Sequence, residues 1–474
     1  MIASLLLPLP IDLDVFKKYN LFGLTIIIGS LWLYRKQLGR ILYLILLSLI
    51  GGGFCLMQYS QLIYPKSEYY EHYSGQALVT RAEQRHGQQR LTLNINKYQI
   101  ITTINAYPKY YFGDVVEIEG DISRLEPFRA DNGQVVAYDK IMLATRRVVG
   151  QIRLQASPRI VGQHSGNKLF QQIDLFKRQA DLLIKYFWPM PEAALGEGLI
   201  FGDKADFSRK FSSALSATGT SHIVAISGYN VAILLVICFI LMRKIIGFKP
   251  AVIISISGLV AFVILTGATA SVVRAAVMGL VLIIAKVVGR PTNIGHSLFI
   301  AGLLMIILNP FIIGYDLGFQ LSFIAVLGLI YLMPVIVSLA NKFFKTMIGQ
   351  ILAATLSAQI AVAPILITSF GNVSILAPLV NALILPFIPA ITLIVIGILC
   401  TGMLIPTLGG QLAWIGWYPL HLIIKTIEIF GQLSWAQIII TNVPRWTIVL
   451  WWGGLAVVIW RFNIARRRRS ASKI

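Results

Sequence analysis

The chain has 474 residues, of which 56% are hydrophobic and only 13% charged, and its mean hydropathy of +0.74 excludes an ordinary soluble globular protein. The net charge of +21 does not by itself point to nucleic acid, because the cytoplasmic loops of any membrane protein collect Lys and Arg. Cys55, Cys238 and Cys400 all lie in apolar segments and the six histidines are scattered without ligand spacing, so neither a disulfide framework, a metal site nor a cofactor is expected.

Apolar runs long enough to cross a bilayer recur along the chain, which reads as a polytopic α-helical membrane protein. Residues 1–57 read as an N-terminal membrane hairpin. Met1 to Asn20 lacks a basic segment leading into an apolar core, so it does not read as a removable signal peptide. The runs Leu21–Tyr34 and Ile41–Met57 are joined by the basic segment Arg35–Arg40, which favours a cytoplasmic turn with both ends of the hairpin outside.

Residues 58–165 change character and read as a small extracytoplasmic all-β domain. Leu91-Thr-Leu-Asn-Ile-Asn has period two, Tyr98–Ile104 follows a short turn, and Phe112–Ile122 alternates apolar and polar positions. About five short strands fit an OB-like barrel. Tyr107, Tyr110, Tyr111 and Phe112 with Arg146-Arg147 are either stacking platforms beside a basic groove or barrel core and margin. Thirteen Lys or Arg against ten Asp or Glu over this stretch is no strong nucleic-acid signature.

Residues 166–220 carry two amphipathic stretches suited to the membrane interface. In the first, Leu169, Phe170, Ile173, Phe176, Ala180, Leu183, Ile184 and Phe187 share a helical face. Between the two stretches, Gly202-Asp203 reads as a turn or cap.

Residues 221–461 are nearly all membrane. Nine spans are predicted, near 221–242, 251–267, 270–288, 297–313, 317–337, 348–368, 374–404, 410–430 and 446–461, making about eleven with the hairpin. An outside start and an odd count place the basic tail, residues 462–474, in the cytoplasm, in agreement with Arg243, Lys244, Lys249, Arg290, Lys342 and Lys345. The span 374–404 holds Pro378, Pro386 and Pro389 with Asn381 between them, which predicts a broken helix. Only Asp316 and Glu428 are acidic between residues 221 and 460, against ten bases, a balance that favours an anionic cargo over a cation-coupled carrier.

The segment Gly219-Thr-Ser-His-Ile-Val-Ala-Ile-Ser-Gly-Tyr-Asn230 heads the first of these spans with polar and small residues that lipid cannot satisfy. His222, Arg274, Asp316 and Gln320 fall near the outer ends of their predicted spans and suggest one external vestibule. Each has a plainer reading: His222 bonding a backbone carbonyl, Arg274 snorkelling outward, Asp316 capping a helix or pairing with Arg274. A hydrolytic pair of His222 and Ser227 is disfavoured, since five residues on one helix separate them by about 140°. No convergent nucleophile, base or metal cluster appears, so an enzyme is not expected.

Four ordered blocks carry a resemblance. Ala194-Leu-Gly-Glu-Gly-Leu-Ile-Phe-Gly-Asp-Lys204 with Ala217–Gly228, and Thr266–Met278 with Gly289-Arg-Pro291, are followed by Asn309-Pro310 with Asp316-Leu-Gly-Phe-Gln-Leu-Ser322, and then by Ala358–Pro364 with Phe370-Gly371, Asn381 and Pro386. Together they resemble the competence domain of the ComEC family of DNA uptake channels. The resemblance implies an inner-membrane channel that passes single-stranded DNA to the cytoplasm during natural transformation, and the polar residues His222, Ser227, Asn230, Arg274, Gln320 and Asn381 are the candidates for its DNA pathway. Gly202, Asp203, Gly219, Gly228, Asp316 and Pro386 are its structural motif positions. Asn230 stands where the family pattern has His. No His-x-His-x-Asp-His cluster occurs in the 474 residues, so the family's metallo-β-lactamase-like nuclease activity is expected from a separate protein. No Gly-x-x-x-x-Gly-Lys-Ser/Thr is present either, which implies a cytoplasmic motor among other competence proteins as partners, besides DNA and membrane lipids. The competing reading is a carrier for a smaller anionic or lipid-linked substrate.

Overall fold

The computed structural model describes residues 72–471, apart from 86–87, 96–97, 130–134, 137, 147, 163–167, 203–206, 225–227, 288, 290–292, 310–311, 340–345, 441–442 and 445. The predicted N-terminal hairpin and the reading of Met1–Asn20 lie outside the described residues. The described residues within 72–128, 137–167 and 306–315 form one compact unit, and those within 129–136, 168–305 and 316–471 form a second.

The first unit is built on β1 (His72–Arg85), β2 (Gln88–Ile95), β3 (Tyr98–Asn105), β4 (Val115–Ser123), β5 (Val148–Leu154) and β6 (Arg159–Gly162). β1, β2 and β3 form an antiparallel meander, β3 pairs parallel with β5, β5 pairs antiparallel with β4, and β4 returns to β1. This closes a five-stranded barrel of OB-like order, with β6 added along β4. Closure depends on the length of β1. Its half His72–Leu78 pairs with β4 and its half Leu78–Arg85 with β2, with an irregularity between Val79 and Arg81 where the strand turns from one neighbour to the other.

The alternation read in the sequence is the barrel's inside and outside. Val116, Ile118 and Ile122 point in from β4 and join Leu91, Leu93, Ile95, Ile100 and Ile152 in a core shielded from solvent. Helix α1 (Tyr138–Arg146), not anticipated from the sequence, places Met142 against Ile101, Leu125 and Val148 in a second small cluster. At nine residues it is too short for its periodicity to separate it from the surrounding strands.

The second unit is helical. Its elements are α2 (Lys168–Phe187), α3 (Glu192–Phe201), α4 (Arg209–Ala217), α5 (Ser221–Val224), α6 (Gly228–Ile246), α7 (Phe248–Leu265), α8 (Ala270–Val287) and α9 (Ile294–Leu308), whose last residues belong to the first unit together with α10 (Ile312–Tyr315). The chain continues through α11 (Leu317–Tyr331), α12 (Met333–Leu339), α13 (Met347–Phe370), β7 (Asn372–Ser374), α14 (Ala377–Ile384), α15 (Ile388–Leu404), α16 (Pro406–Gly431), β8 (Gln437–Ile439) and α17 (Trp446–Ala471). Among the described residues, α7, α13 and α17 are long and apolar enough to cross a membrane, and two bent pairs, α11 with α12 at 43° and α14 with α15 at 48°, raise that number to five. This is a membrane protein. α8 and α9 are apolar but shorter.

α2, α3 and α4 do not merely lie beside the bundle. Ala180, Ile184, Trp188, Leu195, Leu199, Phe211 and Leu215 share one buried core with Val380, Ile388, Ile398, Leu420 and Ile427 of α14, α15 and α16. α2 still exposes Leu175, Phe176, Leu182 and Tyr186. Small residues set the approach of the helices, as they do where no water drives apolar faces together. A Cβ on Gly409 would stand 2.5 Å from the Cα of Gly402, so α15 and α16 cross nearly backbone to backbone beneath Phe187.

Pro364 inside α13 removes the N–H that would bond the carbonyl of Ile360. Trp451 of α17 supplies the replacement: its Nε1 donates to that carbonyl at 2.9 Å, and Trp452 Nε1 donates to Ala361 O at 3.0 Å. Two indoles thus fasten α17 to the proline-opened turn.

Candidate functional site

The polar segment at 217–230 is held by two different neighbourhoods. Ser208 caps α4 by accepting from Phe211 N at 3.1 Å, and α4 ends in a buried turn. Thr218 and Thr220 are fully buried with their hydroxyls 2.7 Å apart, and Thr218 donates to Ala214 O at 2.7 Å. Gly219 between them has φ +67°, and a Cβ there would lie 2.6 Å from Cβ of Ala377 and 3.1 Å from Cβ of Ser374. Both backbone sign and available space therefore require glycine. His222, in α5, is exposed, with Nδ1 3.0 Å from Gly219 O, so the backbone-carbonyl reading of this residue is the one observed. Ser227 lies outside the described residues, and Asn230 sits in the first turn of α6.

Gly219 packs onto the start of the broken span, where several chain segments meet. α13 ends at Gly371 in the left-handed region, and β7 then pairs antiparallel with β8. Asn372 Nδ2 donates to Ser216 Oγ at 3.1 Å and to Gln437 Oε1 at 3.3 Å, while Gln359 Nε2 of α13 donates to Ser374 O. α14 begins three residues after Ser374, and one turn on, Asn381 is 3% exposed. Its backbone carbonyl accepts from Leu385 N at 2.9 Å and closes the helix just before Pro386, which sits in the 48° break. The Oδ1 of Asn381 and the Oε1 of Gln359 are buried without a hydrogen-bond partner among the described residues.

Arg274, on α8, lies in the other neighbourhood. It is 8% exposed, its Nη1 has no partner among the described residues, and its guanidinium lies over the ring of Phe323 at 5.8 Å. Its Nη2 is 2.9 Å from where a Cβ of Gly228 would be, so the guanidinium fills the space a side chain would need at that position of α6. Asp316 does not pair with it. That carboxylate caps α11, accepting from Phe319 N at 3.1 Å, and a Cβ placed on Gly318 beside it would stand 4.0 Å from Cβ of Ala270, one turn along α8 from Arg274. Gln320 stands in the same first turn of α11, partly buried. Arg274 is buried rather than snorkelling outward, and the contacts described here form an Arg274–Gly228–Phe323 group and a Gly219–Ser374–Ala377 group.

Gly202 is the left-handed C-cap of α3, with its N–H donating to Gly198 O at 3.0 Å, and Asp203 lies outside the described residues. In the barrel, Tyr110 is core: its ring is fully buried and its hydroxyl donates to Pro158 O at 2.6 Å. Tyr107 is 75% exposed with Lys109 over its ring at 5.8 Å, and Arg146 is tied to Glu83 at 2.9 Å. Arg147 lies outside the described residues.

Counting acids only beyond residue 220 missed a pair that the fold carries into the helical core. Glu192 and Glu197 of α3 are both buried. Glu192 Oε1 lies 2.6 Å from His421 Nδ1 of α16, and Lys185 Nζ lies 3.5 Å from Glu197 Oε1. The period of α3 could not reveal this, since the helix is buried on all sides.

A family model described as competence protein matches residues 199–464, more than half of the chain. ComE operon protein 3 of Bacillus subtilis (strain 168) is 28% identical over 261 residues, which is 54% of this chain and 31% of that relative. The matched part thus spans about a third of that relative's length, and no solved structure matches. The matched residues take in α4 to α16 with the Gly219 turn, Arg274, the Asp316 cap and the broken span, and on this extent the chain belongs to the competence protein family, as a ComEC-family protein.

Proposed function

We propose that the chain is an inner-membrane channel that translocates single-stranded DNA into the cytoplasm during natural transformation. One observation carries the reading: inside a predominantly apolar helical unit, Arg274 Nη1, Gln359 Oε1 and Asn381 Oδ1 are buried without partners among the described residues. Orphaned polar groups cost about 1–3 kcal/mol each and persist where something polar satisfies them. A strand with its phosphates and base edges offers both acceptors and donors to such groups, and the 48° break around Pro386 interrupts the helix beside Asn381.

In this reading the chain crosses the membrane about eleven times with its N-terminus outside and its C-terminus in the cytoplasm, and the barrel is extracytoplasmic. His222, Ser227, Asn230, Arg274, Gln320 and Asn381 line the strand's route, Gly219 and Gly228 allow close backbone approach, and no step of bond chemistry is performed. A cytoplasmic motor and a separate nuclease act with it. Asn381→Leu, which fills similar space without polar atoms, should lower uptake of labelled single strands several-fold while the protein stays in the membrane. Unchanged uptake by that variant removes the broken span from the route. A carrier for a smaller anionic substrate, the second reading, is favoured by the same buried cation but predicts saturable flux of a small anion in place of strand uptake.

A further inference from the structure

We infer that the cleft between α4 and the end of α16 is where the single strand enters, and that a line of polar side chains leads from it to the broken span. The inference rests on the channel reading and supplies its entrance.

Helices that meet lipid expose apolar side chains, as α7 does with Ile253, Ile254 and Val260. α4 is the opposite case. Its buried side is Phe211, Ala214, Leu215 and Ala217, and its exposed residues are Arg209, Lys210, Ser212, Ser213 and Ser216. That face belongs in water, and it carries hydroxyl and cationic donors with no acid among them. Where it meets α16 a cleft of about 230 Å³ opens, lined by Lys210, Ser213, Ala214, Glu428, Gly431 and Gln432. The two helices are in close contact beneath it, since a Cβ on Gly431 would stand 2.7 Å from Cβ of Ala214. Glu428, the acid of the cleft, is tied to Lys425 at 3.3 Å, which leaves Lys210 to set the sign of the cleft.

Polar contacts continue inward from there. One turn on from Ser213, Ser216 Oγ accepts from Asn372 Nδ2 at 3.1 Å, and Asn372 Nδ2 also donates to Gln437 Oε1 at 3.3 Å. Two residues along β7, Ser374 packs against the Gly219 turn and its carbonyl accepts from Gln359 Nε2. The orphaned acceptors come next: Gln359 Oε1 on that same side chain, and Asn381 Oδ1 one turn of α14 past Ala377. A face that only meets water would end at Ser216. Its continuation to buried amides points to a polar substrate passing inward.

Trp435 adds the second element of single-strand recognition. It is 56% exposed on the turn that follows Gln432. That turn is held by the buried Ala436, whose N–H donates to Leu433 O at 3.0 Å and whose carbonyl accepts from Ile375 N at 2.9 Å. A fixed, exposed indole three residues from a basic cleft is a platform on which a base of any identity can stack.

The test follows binding of a fluorescent oligothymidine to the full chain in uncharged detergent micelles by anisotropy, over a series of salt concentrations. Trp435→Ala should weaken binding about tenfold and Trp435→Phe should not, since the ring is what stacks. Lys210→Gln should flatten the slope of log affinity against log salt by about 0.7, the share of one phosphate contact on a single strand. Lys249→Gln, at the exposed start of α7, should leave both quantities unchanged. Thermal unfolding of each variant identifies any that fails to fold. In cells, Ser213→Cys in a chain whose three native cysteines are serine should lose strand uptake on reaction with a bulky water-soluble thiol reagent, measured against its own uptake before treatment.

Binding unaltered by both Lys210→Gln and Trp435→Ala, or uptake undiminished by the thiol adduct, overturns the entrance. Quenching by brominated lipid that is lost in Trp435→Phe, with no response to oligothymidine, assigns the turn to the membrane surface and overturns it as well. Unchanged uptake after deletion of the chain overturns the channel reading instead, and the binding assay then still decides whether the cleft holds a strand.

Discussion

Substituting Gly219 by alanine tests how the polar turn is seated on the broken span. Its φ of +67° is a region that L residues enter at about 1–2 kcal/mol. The new Cβ would come within 2.6 Å of Cβ of Ala377 and 3.1 Å of Cβ of Ser374, about 1 Å inside ordinary contact, and relieving such overpacking costs about 1–3 kcal/mol. Both neighbours are short side chains close to backbone, with no flexible end to swing away. The expected loss is therefore about 2–5 kcal/mol, read as a shift of the denaturant midpoint of the purified full chain followed by tryptophan fluorescence. Gly258, inside α7 with no atom within 4 Å of a built Cβ, is the control, and Gly258→Ala should be neutral or stabilising by about 1 kcal/mol. A Gly219→Ala protein within about 0.5 kcal/mol of wild type refutes the packing described for this turn.

Trp451→Phe keeps most of the apolar contact of α17 but removes the donor to Ile360 O, leaving the carbonyl freed by Pro364 unsatisfied; the same unfolding assay should show a loss of about 1–3 kcal/mol. In the barrel, the hydrogen bond of His72 with Asp121, at the seam of β1 and β4, holds the imidazole pKa above its ordinary value of 6.5. The stabilisation from this pair is fully present below 6.5 and fades as pH rises through the higher folded value. Carbon NMR of labelled histidine should give a His72 midpoint above 6.5 that drops in Asp121→Asn, and an unchanged midpoint in that variant contradicts the assigned partner.

Much of this architecture was legible in the sequence, and the exceptions have physical causes. The period-two alternation of Phe112–Ile122 became the inside and outside of β4, and the prolines of 374–404 became a real bend, because both signals are local and each residue's role is fixed by its neighbours in sequence. Tyr110 was ambiguous because an aromatic beside other aromatics reads equally as platform or core, and only its long-range bonds to Gln89 and Pro158 decide. Glu192 and Glu197 were invisible as core residues, since their partners His421 and Lys185 come from other helices. The expected vestibule groups His222, Arg274, Asp316 and Gln320 by span depth, and depth carries no information on packing partners; that Arg274 packs against Gly228 and Gly219 against Ala377 is set by long-range helix contacts.

The reading of the whole is tested most directly by uptake of labelled single-stranded DNA in cells lacking this chain and in the same cells restored with wild type or Asn381→Leu. A route through the broken span predicts that deletion abolishes internalised strand, that wild type restores it regardless of base sequence, and that Asn381→Leu restores little despite normal amounts in the membrane. Unchanged strand uptake after deletion, accompanied by loss of a saturable small-anion flux, would contradict the channel and establish the carrier.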